Sequence, residues 1–213
     1  MKALIIDTET TGTIDDPICY DIGFAVIDEN GTTYEKGSFV VADVFLDVEL
    51  MSDAYFKEKI PQYWEDIKNG SRQLRKFSSI NFIIRKIMTE QNITTVIAHN
   101  ARFDYRSTNL TKRYITSSKY RYFFPYGTEI WDTLKMSREV LKDDEEYRKF
   151  CLENGFITSR NQNRYTAEII YRFLTNDLQF IESHTALEDV MIEKEIFAYC
   201  VQKNPSIDGR LWA

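Results

Sequence analysis

Cysteine, long apolar runs and an excess of positive charge are what this chain lacks. Its 213 residues include 3 cysteines. Cys19, Cys151 and Cys200 stand far apart, form no C-x-x-C pair and are odd in number. That argues against both a disulfide framework and a cysteine-held zinc. No apolar run approaches the ~20 residues of a membrane span. The N-terminal apolar run stops at Asp7 after four residues, too soon for a signal peptide. A reducing, cytoplasmic setting with no membrane partner is therefore the expectation. The net charge is −6, which argues against a protein that simply coats nucleic acid. It leaves room for an enzyme acting on one, because local charge decides such a contact. Internal repeats and low-complexity linkers are also missing. The length and a 43% hydrophobic, 14% aromatic composition suit one domain spanning 1–213 with a sizeable core.

What is present begins with Leu4-Ile5-Ile6-Asp7-Thr8-Glu9-Thr10-Thr11-Gly12. A short apolar run closed by a turn signal predicts a buried strand. On an extended backbone residues i and i+2 share a side. Asp7 and Glu9 would then project together from the strand's end. Two buried like charges are costly unless a cation compensates them. A hard divalent ion with oxygen ligands, Mg²⁺ or Mn²⁺, is the natural candidate. The alternative is that both acids merely end the strand in a solvated turn.

Further strands are predicted over Asp21 to Asp28 and Thr32 to Val41, joined by an Asn30-Gly31 hairpin turn. Asp43 to Gly70 carries no motif and suggests short helical pieces interrupted by Pro61. Leu74, Phe77, Ile80, Ile84 and Ile87 recur at helical spacing and predict a helix over Leu74 to Glu90. Short strands are expected at Thr94 to Ala98 and Ile130 to Thr133. Helices are expected from near Ala101, from Leu134, and over Glu145 to Asn154, Thr166 to Asn176 and Thr185 to Lys203, with Gly155 capping the third of these. Consecutive strands followed by strands alternating with helices suggest an α/β protein with a mixed sheet.

Two further units carry chemistry. In His99-Asn100-Ala101-Arg102-Phe103-Asp104 a strand ends, Asn100 can cap the next helix, and Asp104 sits in its first turn. In His184-Thr185-Ala186-Leu187-Glu188-Asp189, Thr185 and Glu188 fit a capping box. That box leaves His184 and Asp189 unaccounted for. The helix after them is apolar on two sides, so Asp189 is expected to be partly inside.

These three units resemble the D-x-E-T-T-G, H-N-x-x-F-D and H-x-A-x-x-D motifs of the DEDDh, proofreading-subunit-like 3′–5′ exonucleases of the RNase H-like superfamily. The chain carries them in that family's order, from Asp7 to Asp189. The resemblance implies an α/β fold with a five-stranded mixed central sheet and helices on both sides. It also implies two Mg²⁺ (or Mn²⁺) ions held by Asp7, Glu9, Asp104 and Asp189, with His184 as the general base. The implied reaction releases nucleoside 5′-monophosphates from the 3′ end of single-stranded DNA. RNA or short oligonucleotides are the alternative substrate, and a non-catalytic or polymerase-associated module the alternative role. A polymerase or a second copy of the chain is a candidate partner.

Thr10, Thr11, Asn100 and Phe103 are the candidate substrate contacts, and Asp132 is read as structural. The chain departs from the family's pattern over 112–127, a candidate insertion. There Tyr114, Tyr120, Tyr122, Phe123 and Phe124 lie among Lys112, Arg113, Lys119 and Arg121. Aromatic planes between cations suit a single strand. The same residues would also suit a flap packed on its own domain.

Overall fold

The structure is a computed structural model that describes residues 2–212. The apolar run at the start forms β1 (Lys2–Gly12), which turns through 13–16 into β2 (Pro17–Asp28). β3 (Thr33–Val41) follows, then short helices α1 (Ala42–Phe45) and α2 (Val48–Met51). A 3₁₀ turn (Lys57–Lys59) leads into α3 (Ile60–Asn69). Next come β4 (Gln73–Arg75), α4 (Phe77–Glu90), β5 (Thr95–Ala98) and α5 (Arg102–Ile115). β6 (Glu129–Asp132), α6 (Thr133–Leu141), α7 (Glu145–Glu153), α8 (Ala167–Thr175) and α9 (Ala186–Lys203) complete the order.

The strands form one mixed sheet in the order β4-β3-β2-β1-β5-β6. β1 is antiparallel to β2 and parallel to β5. Period-two alternation splits β1 between two cores. Leu4 and Ile6 join the core beneath α4 and α5, while Ala3 and Ile5 join the core beneath α6 to α9. The architecture is the expected α/β fold with helices on both faces, but the sheet has six strands, not five. The sixth is β4, added parallel to β3 through Val40–Leu74 pairing. Leu74 therefore belongs to an edge strand and not to the helix its spacing predicted. Lys76 is extended (ψ 142°) and separates the two elements, and Asp43 accepts from Phe77 N at 2.7 Å to start α4.

Two other expectations change. Thr10-Thr11-Gly12 is not a turn: β1 runs on to Gly12 because β2 pairs with it from Pro17. Pro61 does not interrupt a helix but opens α3 in its first turn, where its missing N–H costs nothing. Gly155 behaves as expected. It takes φ +72° just past α7, and Phe156 N donates back to Cys151 O at 2.8 Å, the pattern of a left-handed helix end. The three cysteines are buried and unpaired. Among the described residues no helix is long and apolar enough to cross a membrane.

Two features position the site. Parallel pairing of β1 with β5 ends at Ile5, while pairing with β2 continues to Gly12. Asp7 and Glu9 thus lie where β1 has lost one neighbour. Gly23 sits opposite Asp7, and a Cβ there would stand 2.3 Å from the Ala186 backbone. The absence of a side chain at Gly23 lets the start of α9 rest directly on β2 beside the acids.

Candidate metal centre and active site

Asp7, Glu9 and Asp189 each offer a carboxylate oxygen, and these atoms lie within 4.8 Å of one another. Period two places Asp7 and Glu9 on one side of β1, and α9 packs over that side. A register irregularity between Glu9 and Thr10 follows the pair, a common device for re-aiming side chains beside active sites. Glu9 and Asp189 are buried, and Asp189 Oδ1 has no hydrogen-bond partner among the described residues.

Burial pushes the Asp7 carboxyl well above the usual range, and Asp104, Glu193, Glu9 and Asp189 add to the effect. Burial, then Asp189, raises Glu9 to about 9. Burial, then Glu182, raises Asp189 to about 8. No Lys or Arg forms an ion pair with any of the three among the described residues. A donor set made only of carboxylates, one of them with a buried unpartnered oxygen, fits a hard divalent cation.

Asp104 does not join that group of three. It lies in the first turn of α5, 2% exposed, and accepts from Thr8 Oγ1 at 2.9 Å. Thr8 alternates with Asp7 and Glu9 along β1, so the strand contacts Asp104 from its other side. Burial raises Asp104 to about 7.

The two histidines differ. His99 Nε2 donates to the Tyr165 carbonyl at 2.9 Å, and Nδ1 lies 3.0 Å from Thr133 Oγ1. Burial lowers its pKa, so His99 is neutral and committed to holding β5 against α6 and the 158–166 loop. The His184 side chain is 37% exposed, with Nδ1 3.9 Å from a Glu182 oxygen. Its ring stacks on Phe56 at 4.3 Å and 9°. Partial burial lowers its pKa too, leaving a neutral imidazole able to accept a proton near neutral pH. Asn100 (φ +62°) and His184 (φ +52°) both adopt left-handed backbone. Such conformations in non-glycine residues concentrate at functional sites.

The remaining sequence candidates separate. Thr11 is buried and its hydroxyl donates to Leu50 O at 2.5 Å, so that side chain ties β1 to α2. Thr10 and Phe103 are half-buried near the acids and Asn100 is exposed. Asn100 does not cap α5: Ala101 is the N-cap residue. Asp132 is structural, accepting from Asn100 N and Leu134 N at 2.9 Å each. The Thr185–Glu188 capping box does not form. Thr185 donates to Glu188 at 2.5 Å, and Glu188 turns to Arg72 at 2.7 Å, a charged donor stronger than a backbone amide. Phe123 and Phe124 of the aromatic segment are core residues. Arg85 and Lys112 bind the carbonyls of residues 122–124, so this segment is a flap fastened to the body.

Three residues escaped the sequence reading. Glu193 is buried, one helical turn after Asp189, accepts from His99 N at 3.1 Å and raises Asp7. The i+4 spacing from Asp189 was its available signal. Glu182, raised by burial and Glu168 to about 7, lies beside His184, with Glu168 completing a second close group. Phe56 comes from a stretch without any motif and could not have been found by spacing.

No protein-family model matches this sequence, and no curated protein matches it. Solved structures do. Exonuclease I of Methylocaldum szegediense matches at TM-score 0.63 and 15% identity, over 96% of this chain and 41% of that one. Escherichia coli exonuclease I, in a zinc-bound complex with single-stranded DNA, matches at 0.60 and 15%, again over 96% and 41%. S. pombe Pop2p, in a Mg²⁺- and Mn²⁺-bound form, matches at 0.55 and 15%, over 97% of this chain and 86% of that one. The chain shares the fold of these structures. It spans 41% of the length of the exonuclease I chains it matches.

Proposed function

We propose that residues 1–213 form one catalytic domain, a divalent-metal-dependent 3′–5′ exonuclease of the DEDDh type acting on single-stranded DNA ends. The observation that carries this reading is the Asp7/Glu9/Asp189 group, three carboxylates within 4.8 Å with a buried, unpartnered oxygen. Asp7, Glu9 and Asp189 would hold one Mg²⁺ or Mn²⁺, and Asp104 would serve a second ion directly or through water. Divalent ions bound there would supply charge to acidify a water and to stabilise the departing 3′ oxygen.

The protein's own groups do the rest. His184 takes the proton as the water oxygen attacks phosphorus and the P–O3′ bond breaks. The released product is a nucleoside 5′-monophosphate. Glu168 and Glu182 lie beside the imidazole and would stabilise it once protonated, and Phe56 holds the ring plane. Thr10, Asn100 and Phe103 would contact the terminal nucleotide. Thr11 contributes through its backbone only.

The test is degradation of matched 5′-labelled single-stranded DNA and RNA with Mg²⁺, Mn²⁺ or chelator. A metal-dependent ladder shortening from the 3′ end, faster on DNA, is expected. Faster loss of RNA would replace the substrate, and no cleavage of either by folded protein would remove the activity. His184→Ala should lower the rate about 10²–10⁴-fold, the usual weight of a general base, with Mn²⁺ affinity retained. An unchanged pH–rate profile in that variant would remove His184 from proton transfer.

A further inference from the structure

A cleft of about 1060 Å³ is lined by Glu193, one helical turn after Asp189, and by Glu182, beside His184. Arg138, Lys142, Arg148 and Arg164 also line it. The four cations come from α6, the α6–α7 connection, α7 and the 158–166 loop, so folding and not sequence adjacency assembles them. In a chain of net charge −6 this concentration of positive charge is local. Arg138, Lys142 and Arg164 form no ion pair and no side-chain hydrogen bond among the described residues. Arg138 and Arg164 are exposed. Arg148 is spent differently: it binds Asn163 Oδ1 at 2.8 Å and Asn161 Oδ1 at 3.1 Å, and so fixes the loop that carries Arg164. His99, anchored on Tyr165 O, fixes the end of the same loop.

We propose that this cleft binds the phosphodiester backbone of the single strand whose 3′ end lies at the acids, with Arg138, Lys142 and Arg164 as its phosphate contacts. The proposal rests on the nuclease reading above. Unpaired cations on a rigid frame suit a polyanion that must pass in register toward a fixed centre. It also reassigns strand binding from the 112–127 segment, whose Lys112 is bound to Asn81 and to the Tyr122 carbonyl.

The experiment is anisotropy of a fluorescein-labelled oligothymidylate across a salt series with chelator present, beside cleavage of the same strand with Mn²⁺. Each phosphate contact on a single strand contributes about 0.7 to the slope of log affinity against log salt. Arg138→Ala with Arg164→Ala should weaken binding at least about tenfold and flatten that slope by about 1.4. The paired Arg138→Lys and Arg164→Lys variant should restore the slope, which a merely structural role would not predict. Lys119→Ala with Arg121→Ala, in the flap, should change affinity and slope far less. Unchanged affinity and slope in the cleft variant, with wild type cleaving, would overturn the cleft alone. A larger loss in the flap variant would return strand binding to 112–127. Wild type that neither binds nor cleaves the strand would overturn the nuclease reading and the cleft together.

Discussion

Two groups of buried acids stand close together in this protein and have opposite surroundings. Asp21 is fully buried on β2 and lies 3.0 Å from the Arg72 guanidinium. It also accepts from Tyr63 at 2.8 Å, Ser38 at 3.0 Å and Ala186 N at 3.2 Å. Burial raises its pKa, and Arg72 and these donors pull it back. Arg72 in turn binds Asp66 and Glu188. Asp7, Glu9 and Asp189 have no such cation among the described residues, and Asp104 and Glu193 add further negative charge around Asp7. One group carries a compensating cation within the chain, and the other has none among the described residues. Residues 188 and 189 mark the boundary, since Glu188 turns to Arg72 and Asp189 to Asp7 and Glu9. A compensating cation is what separates the two groups, and burial alone does not.

The sharpest way to break the comparison is to remove one acid from each side. Asp7→Asn should reduce turnover at least about a hundredfold, more than the loss of an outer partner of a metal ligand. Its thermal stability without metal should stay level or rise, because folding no longer has to desolvate or protonate that carboxylate. A variant that unfolds instead would make Asp7 structural. Arg72→Met should do the reverse, costing about 3–5 kcal/mol in denaturant unfolding because it strands Asp21 uncompensated. Loss below about 1 kcal/mol would mean that Tyr63 and Ser38 suffice without the cation.

A smaller effect separates the groups by pH. Folded-state pKa values of Glu9, Asp189 and Asp104 lie near 9, 8 and 7, all above those of the unfolded chain. The metal-free folded state therefore binds more protons, and stability falls as pH rises from about 4 toward 9. Tm in chelator should drop across that range, with each kcal/mol reading as roughly 2–4 °C. Added Mn²⁺ should recover most at the alkaline end. A Tm that rises with pH in chelator would contradict the charge state assigned to these acids.

Much of this was legible in the chain because it is local. Four apolar residues before Asp7 gave a buried strand, and i, i+2 spacing put Glu9 beside Asp7. Asp104 and Asp189 were readable from helix starts. What was not legible depends on contacts across long separations. Arg72 meets Asp21 and Glu188 from a stretch whose pattern predicts neither. Phe56 reaches His184 across the same kind of gap. β4 looked helical because Leu74 fits the spacing of α4, and only pairing with Val40 makes it a strand. The flap's aromatics suited two roles in sequence, and the carbonyls held by Arg85 and Lys112 show that it is fastened to the body.

The most direct measurement is calorimetric titration of Mn²⁺ into wild type, Asp7→Asn and Asp66→Asn at pH 8. The account predicts binding in wild type, its loss in Asp7→Asn, and its retention in Asp66→Asn, where the altered carboxylate belongs to the Arg72 network. Equal Mn²⁺ binding by wild type and Asp7→Asn would contradict it.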